Sequence, residues 1–403
     1  ALGLVTGAGM IVAIVVQPVA GALSDRNHSR WGKRRPFIAI GTLVEVVFLF
    51  GMMAVASWWG LLLGTLLLQL ADNVAMGPYQ GLMPDRVAAQ YRGRASGSMA
   101  IAQIAGNASG FVVAKLLLLD LNSIVFVFAT FALVKLLVLL PTLFLVHEDS
   151  HAPEVKQEPT SRWGLIEQEL PFVREVSLAG LGQITWGLIG DLRRERSFTI
   201  LIMSRLIILT CPAMVTTFAL YYLQDALKIK DPGSAFIGMV GVVILISLLI
   251  VYPASRYSDR IGRRKLIVVA CIVGAAGVMG LAFAHSFIEV IVFGALLGAG
   301  WGAFSSIDWA YAIDVAPPDQ TGKFMGLSNL AGAGSLALAG LLGGPVADIF
   351  NAGSPGSGFG YRVLLVIAAL LFLLGALLLR WVEARPHTAV GDEILKEDLR
   401  RWQ

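Results

Sequence analysis

The sequence predicts an all-α membrane protein. Three observations lead there: 56% of the 403 residues are hydrophobic and only 14% charged, mean hydropathy is +0.74, and the apolar residues gather in runs of about 20, the length that crosses a bilayer as a helix. Soluble domains carry about a quarter charged residues, so a soluble enzyme, a disordered chain and a disulfide-stapled module are excluded. Barrel strands would alternate polar and apolar residues over about half this length. The two cysteines, Cys211 and Cys271, lie inside apolar runs, which argues against a structural disulfide. A net charge of +4, unevenly placed, gives no case for nucleic acid as a partner.

Apolar runs fall at 1–23, 36–57, 59–84, 95–117 and 123–146, then at 198–224, 234–256, 265–285, 287–313, 324–349 and 361–382. That is eleven expected spans. The intervening stretch 147–197 opens HEDSHAPEVKQEPTSRWG, polar and proline-bearing, and reads as a cytosolic linker. Its second half, from Val176 to Ser197, mixes Leu, Ile and Trp186 with Arg193, Arg194 and Arg196, so a helix there could lie along the membrane surface or serve as a solvated connector. The domain reading is therefore 1–146 as an N-terminal bundle, 147–197 as linker, 198–383 as a C-terminal bundle and 384–403 as a tail. Of the 31 basic residues, 25 fall in alternate loops, the linker and the tail. The side rich in lysine and arginine is expected to face the cytosol, which puts the C-terminus inside a cell (plasma or inner) membrane crossed many times. The odd count leads us to expect one helix missing at the start.

The two halves repeat. GALSDRNHSRWGKRRPF (21–37) returns as ASRYSDRIGRRKLIV (254–268), and Asp85, Gly93-Arg94 and Gly97 return as Asp314, Gly322-Lys323 and Gly326 at nearly the same offset. Two motifs at one offset indicate duplication. Asp25 and Asp259 fall at helix ends, where a carboxylate can pair with arginine or cap a neighbouring helix. Gly32 and Gly262 permit a tight turn. Asp25, Arg26, Arg34, Asp259, Arg260 and Arg263 are thus candidates for a cytosolic gate, the alternative being loops that merely obey the positive-inside bias.

Polar groups inside the spans need a reason, because a charge at the bilayer centre costs about 3 kcal/mol. Gln69, Asp72, Asn73, Tyr79 and Gln80 follow steps of three, four and seven along 59–84 and are expected on one helical face. Trp301, Ser305 and Asp308 repeat that spacing in 287–313, while Gln103 with Asn107 and Thr217, Tyr221 with Gln224 form shorter stripes. Glu45, Lys135 and Arg205 also lie inside spans, and Lys115 is near enough to an outer end to snorkel. Asp72 and Asp308 are candidate proton or substrate carboxylates; the competing reading is a structural salt bridge with Arg205 or Lys135. Gly3/Gly7, Gly106/Gly110 and Gly294/Gly298/Gly302 are small-residue faces of the kind that pack helices closely. GAGWG (298–302) is no nucleotide fingerprint, since no strand precedes it. There is no HExxH, P-loop or paired CxxC, and the five histidines are scattered, so no metal, cofactor or nucleophile is expected.

These motifs carry a resemblance. The doubled Asp-Arg/Gly/basic loop resembles the loop motif of the major facilitator superfamily, which on that alignment makes the missing helix the first of twelve. SDRNHSRWGKRRPFI is similar to the sucrose/proton symporters and the wider glycoside-pentoside-hexuronide cation symporters; NVAMGPYQGLMPD (73–85), IAGNASGF (104–111) and SSIDWAYAIDVAPP (305–318) resemble their fourth, fifth and tenth helices. The paired aspartates of melibiose-type sodium symporters have no match in 1–23, and the fourth-helix aspartate of plant sucrose carriers would fall at Gln69, one turn before Asp72. The resemblance implies two six-helix bundles and a secondary transporter rather than an enzyme. It would carry a sugar or glycoside with protons, by alternating access, with the lipid bilayer as its surroundings. Asp72, Asp308 and Arg205 would handle proton or substrate, and Asn73, Gln80, Gln103, Asn107 and Gln224 would bind hydroxyls. A proton-driven exporter of amphiphilic small molecules is the alternative, favoured by a mainly apolar cavity; a membrane receptor or scaffold without transport is a third.

Overall fold

The computed structural model describes residues 2–117, 124–146, 148 and 190–383, apart from 28, 30, 54, 56 and 355. Among these residues there is no strand. Eleven long helices follow in order: α1 (Leu2–Arg26), α2 (Arg35–Met52), α3 (Trp58–Arg86), α4 (Arg92–Leu117) and α5 (Ile124–Leu145), then α6 (Arg196–Tyr221), α7 (Pro232–Ile261), α8 (Arg263–Phe283), α9 (Phe287–Val315), α10 (Thr321–Ala352) and α11 (Phe359–Leu378). Nine of them are long and apolar enough, among the described residues, to cross a membrane. The other two are α1 and α4, each with a stretch of side chains outside the description. The surface helix expected over 176–197 lies largely outside the described residues, which give only a helical turn at 190–194.

The helix ends follow local chemistry. Asp231 accepts from Ser234 N (3.1 Å) and Pro232 occupies the first turn, so α7 starts there. Ahead of α9, Ser286 and Glu289 bond reciprocally as a capping box. Glu148 takes the N–H of Arg34 (2.8 Å) at the start of α2. A π-helical turn, Tyr222–Ala226, extends α6.

The chain packs as two compact units, each built on one half of the chain with short pieces of the other. The first holds the described residues of Ala1–Arg86, Ser109–Glu195 and Ala316–Asn329; the second holds those of Val87–Ala108, Arg196–Val315 and Leu330–Gln403. In the first, α3 packs on α1 and α2, and α2 packs on α5. Ile38, Leu82 and Leu139 close a small core where α2, α3 and α5 meet. In the second, α9 packs on α7 and α8, and α8 packs on α11. The same three pairings thus recur at the offset read from the sequence, with α6 as the additional partner of α11.

The glycine faces divide. A methyl group at Gly298 or Gly302 would strike the α7 backbone at Val243 and Ser247, so α9 and α7 touch through these residues. At Gly106 and Gly110, by contrast, a methyl group would meet nothing among the described residues within 4 Å.

Candidate functional site

Two networks of charge stand at the basic ends of the helices, one in each unit. In the first, the fully buried Arg34 guanidinium bonds Asp85 (2.5 Å), Asp25 (3.1 Å), Ser24 (3.2 Å) and Thr321 (3.4 Å). Asp25 also accepts the N–H groups of Gly322 (3.1 Å) and Lys323 (2.9 Å). Those N–H groups open α10, where unpaired amides and the helix dipole favour an anion. Burial pushes the Asp25 carboxyl above the usual carboxylate range, against the pull of Arg34 and the Lys323 N–H. In the second unit, Arg263 bonds Asp314, Asp259 (3.1 Å), and the carbonyls of Ala89 (2.8 Å) and Ala310 (3.3 Å). Asp259 in turn accepts Gly93 N (3.2 Å) in the first turn of α4. Each network therefore ties the end of one helix to the start of another from the opposite half of the chain.

Gly32 (φ 103°) and Gly262 (φ 101°) adopt the left-handed turn that the motif required. Arg26 and Arg260 are exposed and stand outside the arginine–aspartate cores. Asp85 and Asp314, by contrast, are the direct partners of Arg34 and Arg263. The sequence marked both aspartates as repeat positions without assigning them to the gate, although their common offset with the arginines carried that signal.

Two clusters of charge lie deeper in the helices. In the first unit, Lys135 on α5 bonds both oxygens of Glu45 on α2 (2.5 and 2.6 Å) and one oxygen of Asp72 on α3 (2.8 Å). In the second, Arg205 on α6 bonds Asp308 on α9 (2.6 Å) and lies over the Trp309 ring, 5.1 Å from its centroid. Both expected carboxylates are therefore in ion pairs. The single polar face expected on α3 is two faces. Asn73 and Gln80 are buried, and Gly77 between them lies against α1 at Gln17. Asp72 turns to Lys135, and Tyr79 is exposed. Neighbouring residues on a helix point about 100° apart, so 72 and 73 cannot share a direction. Asn73 spends its amide on Gln69, at 2.7 Å to the carbonyl and 3.1 Å to the side chain.

A cavity of about 540 Å³ lies within the second unit. Gln103 and Asn107 of α4 line it, with Thr216 of α6, Ser247 of α7, Trp301 of α9 and Ser335 of α10; the remaining wall is Ile, Leu, Val, Met, Pro, Ala and Gly. The three hydroxyls donate to backbone carbonyls: Thr216 to Pro212 (2.8 Å), Ser247 to Val243 (2.7 Å) and Ser335 to Gly332 (2.7 Å). The amides of Gln103 and Asn107 are exposed to the cavity and remain available. Neither Asp308 nor Gln224 lines it. Gln224 sits exposed in the π-helical turn beyond α6, where the wider turn breaks the spacing that would align it with Thr217 and Tyr221.

The arrangement has recognisable relatives. The D-xylose transporter of Levilactobacillus brevis is 30% identical over 168 residues, 41% of this chain and 35% of that protein, so the match spans about a third of the relative's length. Among solved structures, the human organic anion transporter MFSD10 (TETRAN) superposes with a TM-score of 0.68 at 16% identity, over 94% of this chain and 83% of that one. The proton:xylose symporter XylE gives 0.64 at 16% identity, over 94% and 86%. At such identities the two structures speak for the fold. The Major Facilitator Superfamily model matches residues 1–340, and with the duplicated helix pairings and paired charge networks it places this multi-pass membrane chain in the Major Facilitator Superfamily of transporters.

Proposed function

We propose that the chain is a proton-coupled symporter of a sugar or glycoside, working by alternating access in the cell membrane with its basic loops and C-terminus in the cytosol. In this reading all eleven helices, α1 and α4 included, are spans, and the halves 1–146 and 198–383 move against each other. The observation that carries it is the cavity on α4, α6, α7, α9 and α10, whose available polar groups are the Gln103 and Asn107 amides beside the Trp301 ring. Amides offer both donors and acceptors to hydroxyls, and an aromatic face suits the apolar face of a pyranose. Similarity to the D-xylose transporter supports the same substrate class.

Asp72 is the proposed proton carrier. It is about one third exposed, whereas Asp308 is buried against Arg205. The Arg34 and Arg263 networks are proposed as latches: each stabilises one closed arrangement, and release of Asp25 from Gly322 and Lys323, or of Asp259 from Gly93, accompanies opening.

The mainly apolar wall favours a second reading, a proton-driven exporter of amphiphilic molecules. A free sugar sets hydroxyls all round its ring, and those facing Val240, Val243 and Leu336 would go unpaired. Uptake of labelled sugars, glycosides and a lipophilic dye into proteoliposomes under an imposed pH gradient separates the readings. Gradient-driven accumulation of a sugar or glycoside supports the first; proton-driven movement of the dye alone supports the second.

A further inference from the structure

The ion pairs inside the helices can be counted. Lys135 has three N–H donors, and all three go to carboxylate oxygens: two to Glu45 and one to Asp72. One ammonium thus serves two carboxylates. Among the described residues, the helices packed on them supply no second cation. On α1 no titratable residue occurs before Asp25; on α2 Glu45 is the only charge between Arg35 and Met52; on α3 Asp72 is the only one before Asp85, with Tyr79 the other titratable group; on α5 Lys135 stands alone. With both acids ionised, the cluster carries one negative charge about 15 Å along α2 from Arg35, deep in a low-dielectric region where uncompensated charge is costly. Two carboxylates that share a site hold a proton between them and titrate as a pair.

We propose that Glu45, Asp72 and Lys135 together form a one-proton exchange site in which Glu45 is a full partner of Asp72. This rests on the reading of Asp72 as proton carrier and extends it to a residue that no part of that reading uses. Asp72 and Lys135 are each more than one third exposed, while Glu45 is 9% exposed. In this proposal Asp72, the more exposed of the two acids, is the end that exchanges with water once the carrier opens, taking a proton from hydronium and returning water. Lys135 is the moving part. With the proton on Asp72 the ammonium pairs with Glu45; with the proton on Glu45 it pairs with Asp72. Either way the cluster is neutral, and losing the proton leaves it with one negative charge.

The test reads protonated carboxyl groups directly, by infrared difference spectra of the purified chain titrated between about pH 5 and 9. Glu45→Gln and Asp72→Asn each leave one carboxylate with one ammonium, a neutral pair. The expected result is a carboxylic acid band that titrates in the unsubstituted chain and is lost in both variants. Loss in Asp72→Asn with persistence in Glu45→Gln overturns the shared site while sparing Asp72 as carrier. Persistence in both, or no such band in the unsubstituted chain, overturns both readings. Should Glu45→Gln fail to fold, Lys135→Gln decides: removing the ammonium must move the titration to higher pH, by about ten-fold or more in proton affinity, and an unmoved titration overturns the proposal.

Discussion

The Arg205–Asp308 pair and the Glu45–Asp72–Lys135 cluster both set charge inside apolar helices, yet they differ in count and in exposure. Among the described residues the first pairs one cation with one carboxylate, both side chains less than one tenth exposed, with an aromatic ring beneath the guanidinium. The second has one cation for two carboxylates, and two of its three members are more than one third exposed. In the first, removing either charge breaks a buried ion pair, which is costly. In the second, a single ammonium serves two carboxylates, so one of them can be neutralised without breaking the last ion pair. On the proposed reading, the buried pair acts as a strut and the three-membered cluster as the site that takes up a proton.

Neutralising one carboxylate in each separates the two most widely. Asp308→Asn deprives Arg205 of its carboxylate and should lower stability by about 3 kcal/mol, the scale of a broken buried pair. Asp72→Asn leaves Glu45 and Lys135 matched and should lower it by less than about 1 kcal/mol. Thermal unfolding in detergent measures both, and equal losses would erase the distinction. A double-mutant cycle sharpens it. Lys135→Met strands two carboxylates and should cost about 2 kcal/mol, and adding Glu45→Gln should recover about half of that, a coupling within the range for groups in direct contact.

The two latches allow a smaller comparison. Asp25 accepts two backbone N–H groups at the start of α10, whereas Asp259 accepts one at the start of α4. Charge-assisted bonds contribute about 1.5–3 kcal/mol each. Asp25→Asn should therefore change the transport rate by about ten-fold or more, and Asp259→Asn by less, with equilibrium substrate affinity changing less than rate in each. Initial rates set against equilibrium binding check this, and unchanged rates in both return the loops to orientation markers. Smallest is the contrast between glycines. Gly298→Ala drives a methyl group into the carbonyl of Val243, 2.6 Å away, and should lower the melting temperature measurably; Gly106→Ala should leave it within about 0.5 kcal/mol of unchanged.

Much of the fold was legible because a bilayer dictates span length and loop charge, and both are written locally. α5 was expected at 123–146 and runs Ile124–Leu145. The turn at Gly262 was legible for the same reason, since its backbone conformation is a property of a few residues. The two arginine–aspartate networks were legible only in part. Asp25 and Arg34 announced themselves in one loop, but the N–H groups that Asp25 accepts lie 297 and 298 residues away, and no local pattern reports which helix start will arrive there. Glu45 and Lys135 were visible as charges inside spans; that Lys135 joins Glu45 to Asp72 depends on α2 packing against both α3 and α5, which periodicity does not encode. The α3 stripe misled because matching steps of seven along 72–79 and 73–80 look like one face and are two. Gln224 lies outside the cavity wall, in a π-helical turn that departs from the 3.6-residue period on which the stripe was built.

The proposed proton path runs through the Glu45–Asp72–Lys135 cluster and not through the Arg205–Asp308 pair. The direct measurement is accumulation of a labelled sugar or glycoside in proteoliposomes under an imposed pH gradient, alongside counterflow exchange without one, for Asp72→Asn and Asp308→Asn. Asp72→Asn fixes the cluster in a neutral form, so gradient-driven accumulation should vanish while counterflow, which needs no net proton movement, continues. In whatever fraction of Asp308→Asn folds, accumulation per folded molecule should still follow the gradient. Normal pH-driven accumulation in well-folded Asp72→Asn, with its loss in Asp308→Asn, would contradict the account and move the proton path to the Arg205–Asp308 pair.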